Sequence, residues 1–320
     1  MFRSLFIYLS KAAWARKLVT HWKFAWRAAS RFVAGETLDD AIRVIQRLNQ
    51  KGINATLDHL GEHTTDLESA RRAAQEIIQI LEAIMSSGVR ANVSIKLTQI
   101  GLSLDEGVCR DNLQIILQKA VATNNFVRID MEDSSCVDVT LRLFHQMRHE
   151  ERFENVGIVI QSYLYRSEED IHQLSQECSP VRLCKGAYKE PPQVAYPRKT
   201  DVDASYDRLA KILMDGALAA GCPAVSQDGR LPPIVALATH DERRINFARD
   251  YARRIGLSKG SLEFQMLYGI RRDLQENLAK DSVPVRVYVP YGSEWYPYYV
   301  RRLAERPANL WFFISNFFRK

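Results

Sequence analysis

Eight short apolar runs recur between residues 53 and 289, and each precedes a longer segment with helical periodicity. Short runs rich in β-branched residues are typical of buried strands, whereas apolar residues three and four positions apart are typical of amphipathic helices. The predicted strands are 53–58, 92–97, 126–132, 156–161, 181–185, 234–239, 262–267 and 285–289. Pro290 and Gly292 are expected to end the last strand.

The predicted helices alternate with these strands, at 37–50, 66–86, 106–123, 136–149, 167–177, 204–220, 242–255, 271–279 and 294–305. Ser167 and the three acidic residues after it are expected to cap the helix that they open. Eight successive strand–helix units predict an α/β protein of the (β/α)8 TIM-type barrel class, with extra N-terminal helices. A doubly wound open sheet is the alternative, but neither G-x-G-x-x-G nor G-x-x-x-x-G-K-[ST] occurs.

The pattern divides the chain into an N-terminal helical arm (1–50), the barrel with its site (51–309) and an aromatic tail (310–320). The net charge of +6 lies in the arm, because residues 1–31 hold seven Lys/Arg and no acid, leaving 37 basic against 38 acidic residues elsewhere. A neutral body gives no reason to expect nucleic-acid binding.

The arm also carries Trp14, Trp22 and Trp26 at helical spacing. Basic residues interleaved with tryptophans predict peripheral contact of residues 1–31 with an anionic membrane surface. The alternative is a helical layer packed on the barrel with its cations in water. The longest uncharged early run, residues 4–10, is far shorter than the roughly 18 residues that a membrane span needs, and it is also short for a cleavable signal.

Five cysteines are spread along the chain, at Cys109, Cys136, Cys178, Cys184 and Cys222. Their number is odd, and no C-x-x-C or C-x-x-H pair occurs. We therefore predict no metal site and no disulfide framework, and a reducing, cytoplasmic location.

Polar residues end every predicted strand, which is where a barrel of this class builds its active site. They are Asp58, His59, Glu62, Lys96, Gln99, Asp130, Glu132, Gln161, Arg182, Lys185, Tyr188, Thr239, His240, Gln265, Tyr268, Tyr288 and Tyr291. Polar groups at a barrel mouth cost desolvation unless they are paired or used, so we expect a polar, charged ligand. Alternatively, Lys96 and Asp130 form a structural ion pair, and Asp58 or Glu132 caps the next helix.

Arg301 and Arg302 are adjacent on the last predicted helix, behind the aromatic residues Trp295, Tyr296, Tyr298 and Tyr299. Neighbouring side chains on a helix diverge by about 100°, so both reach one small anion only if it lies close to the helix. The alternative is a solvated helix face that pairs with Glu294 or Glu305.

Several motifs in register carry a resemblance across the whole barrel. They are Ser94-Ile-Lys-Leu-Thr, Arg128-Ile-Asp-Met-Glu-Asp133, Gln161-Ser-Tyr-Leu-Tyr-Arg, Val181-Arg-Leu-Cys-Lys-Gly-Ala-Tyr188, Ala238-Thr-His-Asp241, Glu263-Phe-Gln-Met-Leu-Tyr-Gly-Ile-Arg271 and the segment through Glu-Arg-Pro-Ala-Asn309. With them the chain resembles the monofunctional bacterial proline dehydrogenases, FAD enzymes with a (β/α)8 barrel. Cys184 departs from the family pattern, which more often has an aliphatic residue there.

The resemblance implies a substrate site for L-proline. By it, Lys96, Arg301 and Arg302 would hold the carboxylate, which also orients the ring. Tyr288 and Tyr298 would wall the pyrrolidine and select a small ring.

The resemblance also implies two catalytic residues and a set of flavin contacts. Asp130 would hold Lys96 in place, and Arg182 would donate a hydrogen bond to flavin N5 and stabilise negative charge on the reduced ring. The other implied FAD contacts are Met131, Gln161, Lys185, Gly186, Ala187, Thr239 and His240.

The implied reaction is the first step of proline degradation, the oxidation of L-proline to 1-pyrroline-5-carboxylate. Hydride would pass from proline C5 to flavin N5, and the electrons would pass to a membrane quinone. The alternative enzyme is an aldolase-type barrel that uses Lys96 or Lys185 as a Schiff-base nucleophile. In a different class, the arm and tail would make the chain a membrane-surface binding protein with the barrel as scaffold.

Overall fold

The computed structural model describes residue 26, residues 29–61 and residues 64–305, with the backbone alone for residues 303–305. Eight parallel strands close into a barrel in which each strand pairs with the next and the last pairs with the first. The strands are β1 (Asn54–His59), β2 (Ala91–Ile95), β3 (Val127–Ile129), β4 (Val156–Gln161), β5 (Val181–Cys184), β6 (Val235–Ala238), β7 (Leu262–Leu267) and β8 (Val285–Tyr291). The predicted (β/α)8 class is confirmed.

Within the described residues, the helix Leu38–Gln50 leads into the barrel, and a helix follows each strand. They are α1 (Leu38–Gln50), α2 (Leu67–Ser87), α3 (Glu106–Ala122), α4 (Val137–His145), α5 (Ser167–Gln176), α6 (Lys199–Ala219), α7 (Glu242–Ile255), α8 (Arg272–Lys280) and α9 (Trp295–Glu305). A π turn, Gln146–Glu150, continues α4, and short 3₁₀ turns lie at Leu97–Ile100, Ser134–Cys136 and Lys259–Ser261.

Side chains at the helix starts explain why these segments begin where they do. Thr37 Oγ1 accepts a hydrogen bond from the Asp40 backbone N at 3.2 Å, and the Asp40 carboxylate accepts from the Thr37 backbone N at 3.2 Å. Asp66 Oδ1 likewise accepts from the Ser69 backbone N at 2.7 Å at the start of α2. Each such cap stabilises a helix by about 1 kcal/mol.

Three details of the prediction are wrong. Ser167 does not cap α5, because its hydroxyl donates to the Gln161 carbonyl oxygen. Pro290 does not end β8, which continues to Tyr291; proline needs no amide partner there, and its carbonyl oxygen accepts from the Ala34 backbone N at 2.9 Å. The helix predicted from residue 204 starts at Lys199.

Residues along each strand alternate between two environments. In β2, Val93 and Ile95 are buried in the apolar core that lies under the helices. Asn92 and Ser94 point into the barrel, where Ser94 contacts β5 across the interior. The interior therefore carries polar side chains in place of the bulky apolar layers usual for this fold.

The described end of the N-terminal arm packs against α9. Ala29, Phe32 and Val33 form an apolar cluster with aromatic residues of that helix, including Trp295. The Trp26 ring lies edge-on to Trp295, with 5.3 Å between ring centres. Trp26 is therefore a packing residue, whereas the membrane prediction for Trp14 and Trp22 falls outside the described residues, as does the aromatic tail.

Candidate active site

Asp130 lies at the centre of the predicted site, directly after β3. Its Oδ1 accepts a hydrogen bond from Arg182 Nη1 at 2.9 Å. Its Oδ2 accepts from Tyr288 Oη at 2.7 Å and from Lys96 Nζ at 3.4 Å. One carboxylate therefore joins four segments of the barrel mouth and connects the predicted substrate lysine to the predicted flavin arginine.

Lys96, after β2, has a closer partner than Asp130. Its Nζ donates to Asp58 Oδ1 at 2.9 Å and lies 3.4 Å from the Tyr288 hydroxyl. Burial alone would lower the pKa of Lys96, but the charges of Asp58 and Asp130 outweigh it and raise the pKa above the ordinary lysine value. Lys96 is therefore a cation at neutral pH, which suits carboxylate binding and opposes the neutral amine that a Schiff-base nucleophile needs.

Arg182, on β5, is buried and fixed from two sides. Its Nε donates to Gln265 Oε1, and its Nη1 donates to Ser94 Oγ at 2.9 Å as well as to Asp130. Its guanidinium carbon lies 5.3 Å from the centre of the Tyr288 ring, within cation–π range.

A second polar layer lies beneath Arg182, inside the barrel. Gln265 Nε2 donates to Glu263 Oε1 at 2.6 Å, and the same oxygen accepts from Arg286 Nε at 2.8 Å. An ionised carboxylate only accepts hydrogen bonds, so the amide nitrogen of Gln265 must face Glu263. The amide oxygen then faces Arg182, whose guanidinium group only donates, so Glu263 and Arg182 favour the same orientation of the amide.

From the sequence, Gln265 was predicted as a strand-end residue without a role, and no role was predicted for Glu263 or Arg286. The signal was present, because side chains two positions apart in a strand share a face. Glu263 precedes Gln265 by two residues, and Arg286 precedes Tyr288 by two.

Lys185 is held by two carboxylates. Its Nζ donates to Asp241 Oδ2 at 2.9 Å and to Asp203 Oδ1. Asp203 lies on α6 and Asp241 is the N-cap of α7, so Lys185 joins three segments beside the mouth. Sequence reasoning missed Asp203, since nothing in the local pattern relates it to a lysine 18 residues earlier.

Gln161, at the end of β4, fits a ligand with N–H donors such as a flavin, and Gly186 after β5 packs closely against Tyr163. Gln161 is buried; its amide nitrogen donates to the Met131 carbonyl oxygen at 3.4 Å, while its amide oxygen has no partner among the described residues. A buried acceptor left unsatisfied costs about 1–3 kcal/mol, so a ligand donor there is stabilising. Gly186 has a φ of 111°, and a Cβ at this position would lie 2.5 Å from the Tyr163 ring.

The predicted flavin residues after β6 lie beside these. His240 Nε2 accepts a hydrogen bond from the Leu267 backbone N at 2.9 Å, so the neutral ring carries its hydrogen on Nδ1. Thr239 is buried, and its hydroxyl accepts from the Asp241 backbone N at 3.0 Å. Ala187 is exposed in the loop after β5.

Helix α9 brings the last group of predicted residues to the mouth. Tyr298 is buried, and the Arg302 guanidinium carbon lies 5.2 Å from the centre of its ring. Arg301 is exposed. Partial burial raises the pKa of Tyr188 to about 12, and the charges of Lys96 and Arg301 act in the opposite direction.

The alternative that Asp58 or Glu132 caps the next helix is wrong. Asp66 caps α2, and Asp58 binds Lys96. Glu132 accepts hydrogen bonds from the Thr98 backbone N at 3.1 Å and hydroxyl at 2.6 Å, so it reaches back to the segment after β2. Burial raises the pKa of Glu132, and its hydrogen bonds with Thr98 oppose that shift.

A comparison with family profiles decides which barrel this is: the profile described as proline dehydrogenase matches residues 41–314. The chain belongs to the proline dehydrogenase family. Proline dehydrogenase 2 of Bacillus subtilis (strain 168) is 38% identical over 319 residues, with 99% of both chains covered. The proline dehydrogenase of Deinococcus radiodurans is 42% identical over 294 residues, covering 91% of this chain and 90% of that one.

Solved structures of the family agree with the fold. The crystal structure of proline utilization A (PutA) from Bdellovibrio bacteriovorus, inactivated by N-propargylglycine, superposes with a TM-score of 0.80 at 25% identity. The alignment covers 95% of this chain and 36% of that longer one. Proline dehydrogenases are flavin-dependent oxidoreductases of proline degradation, so the implied family and enzyme class are confirmed.

Across the described residues, none of the helices has the length and apolar character that a membrane crossing requires.

Proposed function

We propose that this chain oxidises L-proline to 1-pyrroline-5-carboxylate with non-covalently bound FAD and passes the electrons to a quinone. The observation that carries the proposal is the position of Asp130, which binds Lys96, Arg182 and Tyr288 at once. A substrate cation, an aromatic wall and a flavin-side arginine are thereby held in one rigid group, in a chain of the proline dehydrogenase family.

The proposed substrate residues have two roles: some bind the charge of the substrate and others fit its shape. Lys96, Arg301 and Arg302 would bind the proline carboxylate, and the raised pKa of Lys96 keeps its ammonium group charged for this purpose. Tyr288 and Tyr298 would close around the pyrrolidine ring. Because the first is bonded to Asp130 and the second is buried, neither ring is free to move aside for a larger substrate.

The flavin residues would line β4, β5 and β6. FAD, when bound, supplies the acceptor for the hydride that leaves proline C5. The unsatisfied Gln161 oxygen would accept a hydrogen bond from the polar edge of the flavin ring. The further proposed contacts are Met131, Lys185, Gly186, Ala187, Thr239 and His240. Arg182 would present its cationic N–H groups to the site of charge development, which is where electrostatic stabilisation lowers a barrier.

The aldolase alternative finds less support. Lys96 is held as a cation by Asp58 and Asp130, and Lys185 lies between Asp203 and Asp241. Neither lysine has the apolar surroundings that would favour a neutral, nucleophilic amine.

The first experiment is a visible spectrum followed by a substrate comparison. We expect a yellow protein with releasable FAD, and turnover of proline with a dye acceptor. Arg302→Met should weaken proline binding by about 2–5 kcal/mol, since it removes one of the three cations proposed to bind the substrate carboxylate. Pyrrolidine lacks that carboxylate and should be a poor substrate that the variant hardly affects. A colourless protein that takes up no FAD, or equal losses on both substrates, would contradict the proposal.

The second experiment concerns the quinone and the basic arm. We propose that residues before Trp26 promote contact with anionic membranes that contain the quinone, each basic residue near the surface contributing about 1 kcal/mol. Because Trp26 and residues 29–33 pack on α9, the informative deletion is residues 1–25. It should keep dye activity and flavin while losing vesicle binding and quinone turnover. Loss of dye activity would favour the packed structural layer.

A further inference from the structure

Three side chains with metal-binding chemistry converge at the end of the barrel opposite the mouth. His145 ends α4, His149 lies in the π turn that follows, and Glu177 lies in the turn between α5 and β5. Their ligand atoms all lie within 4.8 Å of one another. Glu177 Oε2 is 3.3 Å from His145 Nδ1 and 3.1 Å from His149 Nε2.

The two separations from Glu177 to the histidines match edges of a coordination tetrahedron. Zinc bonds to nitrogen and oxygen ligands are about 2.0–2.1 Å long, so two ligand atoms at tetrahedral angles lie roughly 3.3 Å apart. We propose that His145, His149 and Glu177 form a binding site for a divalent transition metal of the zinc class, with water in the remaining position.

The carboxylate is already oriented for this role. Gln173 Nε2 donates to Glu177 Oε1 at 2.9 Å, while Oε2 faces the two imidazoles and also accepts a long hydrogen bond of 3.5 Å from the Ser179 hydroxyl. Partners that orient a ligand from behind are a usual part of metal sites. The two imidazole rings lie nearly parallel, with 18° between planes and 5.6 Å between centres. Each presents one nitrogen to Glu177 Oε2.

The backbone changes from an α-helix to a π turn directly after His145. The Glu151 backbone N bonds to the Gln146 carbonyl oxygen at 3.0 Å, which closes the π turn that contains His149. π turns are rare and are frequently found at functional sites. Arg148, in the same turn, donates to the carbonyl oxygens of Glu154 and Cys178, which fixes its guanidinium group outside the cluster.

The ligand set selects the metal. Imidazole with a single carboxylate suits zinc, nickel, copper or cobalt, whereas magnesium and calcium prefer sites built from oxygen alone. A bound ion would tie the end of the α4 segment to the turn that leads into β5. It would therefore stabilise the fold without touching the active site.

The test uses the full-length, untagged holoenzyme after treatment with a chelator and removal of that chelator. Zn²⁺ is titrated by calorimetry at slightly alkaline pH, where imidazoles are neutral, and thermal unfolding is followed with and without Zn²⁺. We expect one equivalent of Zn²⁺ to bind, to raise the unfolding temperature and to resist competition by excess Mg²⁺. Absence of binding by the wild-type chain would overturn the proposal, and the cluster would then be only a hydrogen-bonded pair of histidines on a glutamate.

Variants identify the site. His149→Ala and Glu177→Gln should each lower zinc affinity by roughly 100-fold or more, and Gln173→Ala by roughly 10-fold, because it only orients a ligand. The matched control is His172→Ala, which removes an exposed histidine of α5 outside the cluster and should leave the affinity unchanged. Wild-type affinity in both His149→Ala and Glu177→Gln would show that the ion binds elsewhere and would refute the assignment.

Discussion

Replacing Gln265 with methionine tests how Arg182 is held. The side chain keeps nearly the same volume, so packing changes little. The change removes the amide oxygen that accepts from Arg182 Nε, and it removes the donor to Glu263. Arg182 keeps its bonds to Ser94 and Asp130 through Nη1 alone, which leaves the guanidinium group able to rotate.

The structure sets the expected size of the effect. A buried donor on a charged group that loses its partner costs about 1–3 kcal/mol of stability. If the arginine shifts by about 1 Å, turnover should fall by up to about 100-fold, because catalysis depends on preset geometry. The KM for proline should change little, since Gln265 makes none of its hydrogen bonds with Lys96 or α9.

The assay combines steady-state turnover of proline with a dye and unfolding in urea. The matched control is Thr56→Val, which breaks a buried 2.6 Å hydrogen bond to Asn92 inside the same barrel but away from Arg182. It should lower stability and leave kcat unchanged. If Gln265→Met loses stability with wild-type kcat, or if Thr56→Val loses as much kcat, the amide has only a structural role.

A double variant separates Glu263 from Gln265. Glu263→Gln should lower kcat, because a neutral partner holds the Gln265 amide less firmly than a carboxylate does. It should also cost about 3–5 kcal/mol of stability by leaving Arg286 without its carboxylate. Since Glu263 acts on Arg182 only through Gln265, it should have no further effect on kcat in a Gln265→Met background. Additive losses in kcat would refute the orientation argument.

Two further predictions concern backbone and charge. Gly186→Ala should lower stability by more than the roughly 1–2 kcal/mol of left-handed strain, and should weaken flavin retention, because its Cβ would meet Tyr163. The control is Gly221→Ala, where φ is 79° and the space is open, so only the strain should appear. Urea unfolding and flavin release measure the two effects. The raised pKa of Glu132 favours folding below its ordinary value of 4.5, and this contribution is lost as pH rises through the folded-state pKa. Glu132→Gln should therefore gain stability relative to wild type as pH increases from acid to neutral, and a pH-independent difference would refute the assignment.

The barrel was predictable because burial on both faces leaves a strong local signal. The strands at 156–161 and 262–267 and the helix at 242–255 agree with the structure at both ends. Errors arose where tertiary contacts outweighed local preference. Ser167 is of a residue type that caps helices, but its hydroxyl donates a hydrogen bond to the Gln161 carbonyl oxygen instead.

The site was predictable at the strand ends and less so behind them. Lys96 and Asp130 directly follow β2 and β3, and Tyr288 lies on β8, so the barrel topology itself brings them together. Asp203 could not be found in this way, because its contact with Lys185 depends on where α6 lies beside β5. Glu263 could have been predicted, because residues two positions apart in β7 share a face and Glu263 therefore lies on the same face as Gln265.

The charges at the mouth suggest how attraction and orientation are divided in the proposed substrate site. Lys96 and Arg182 are balanced by Asp58 and Asp130, so these four groups together carry no net charge. Their role toward a carboxylate is then directional, through fixed N–H groups. Long-range attraction then falls to the exposed Arg301 on α9. An exposed charge is screened by salt over about 10 Å, whereas a buried pair is screened much less. Proline binding should therefore weaken with added salt in the wild type, and Arg301→Met should remove most of that salt dependence while Lys96 still orients the bound carboxylate.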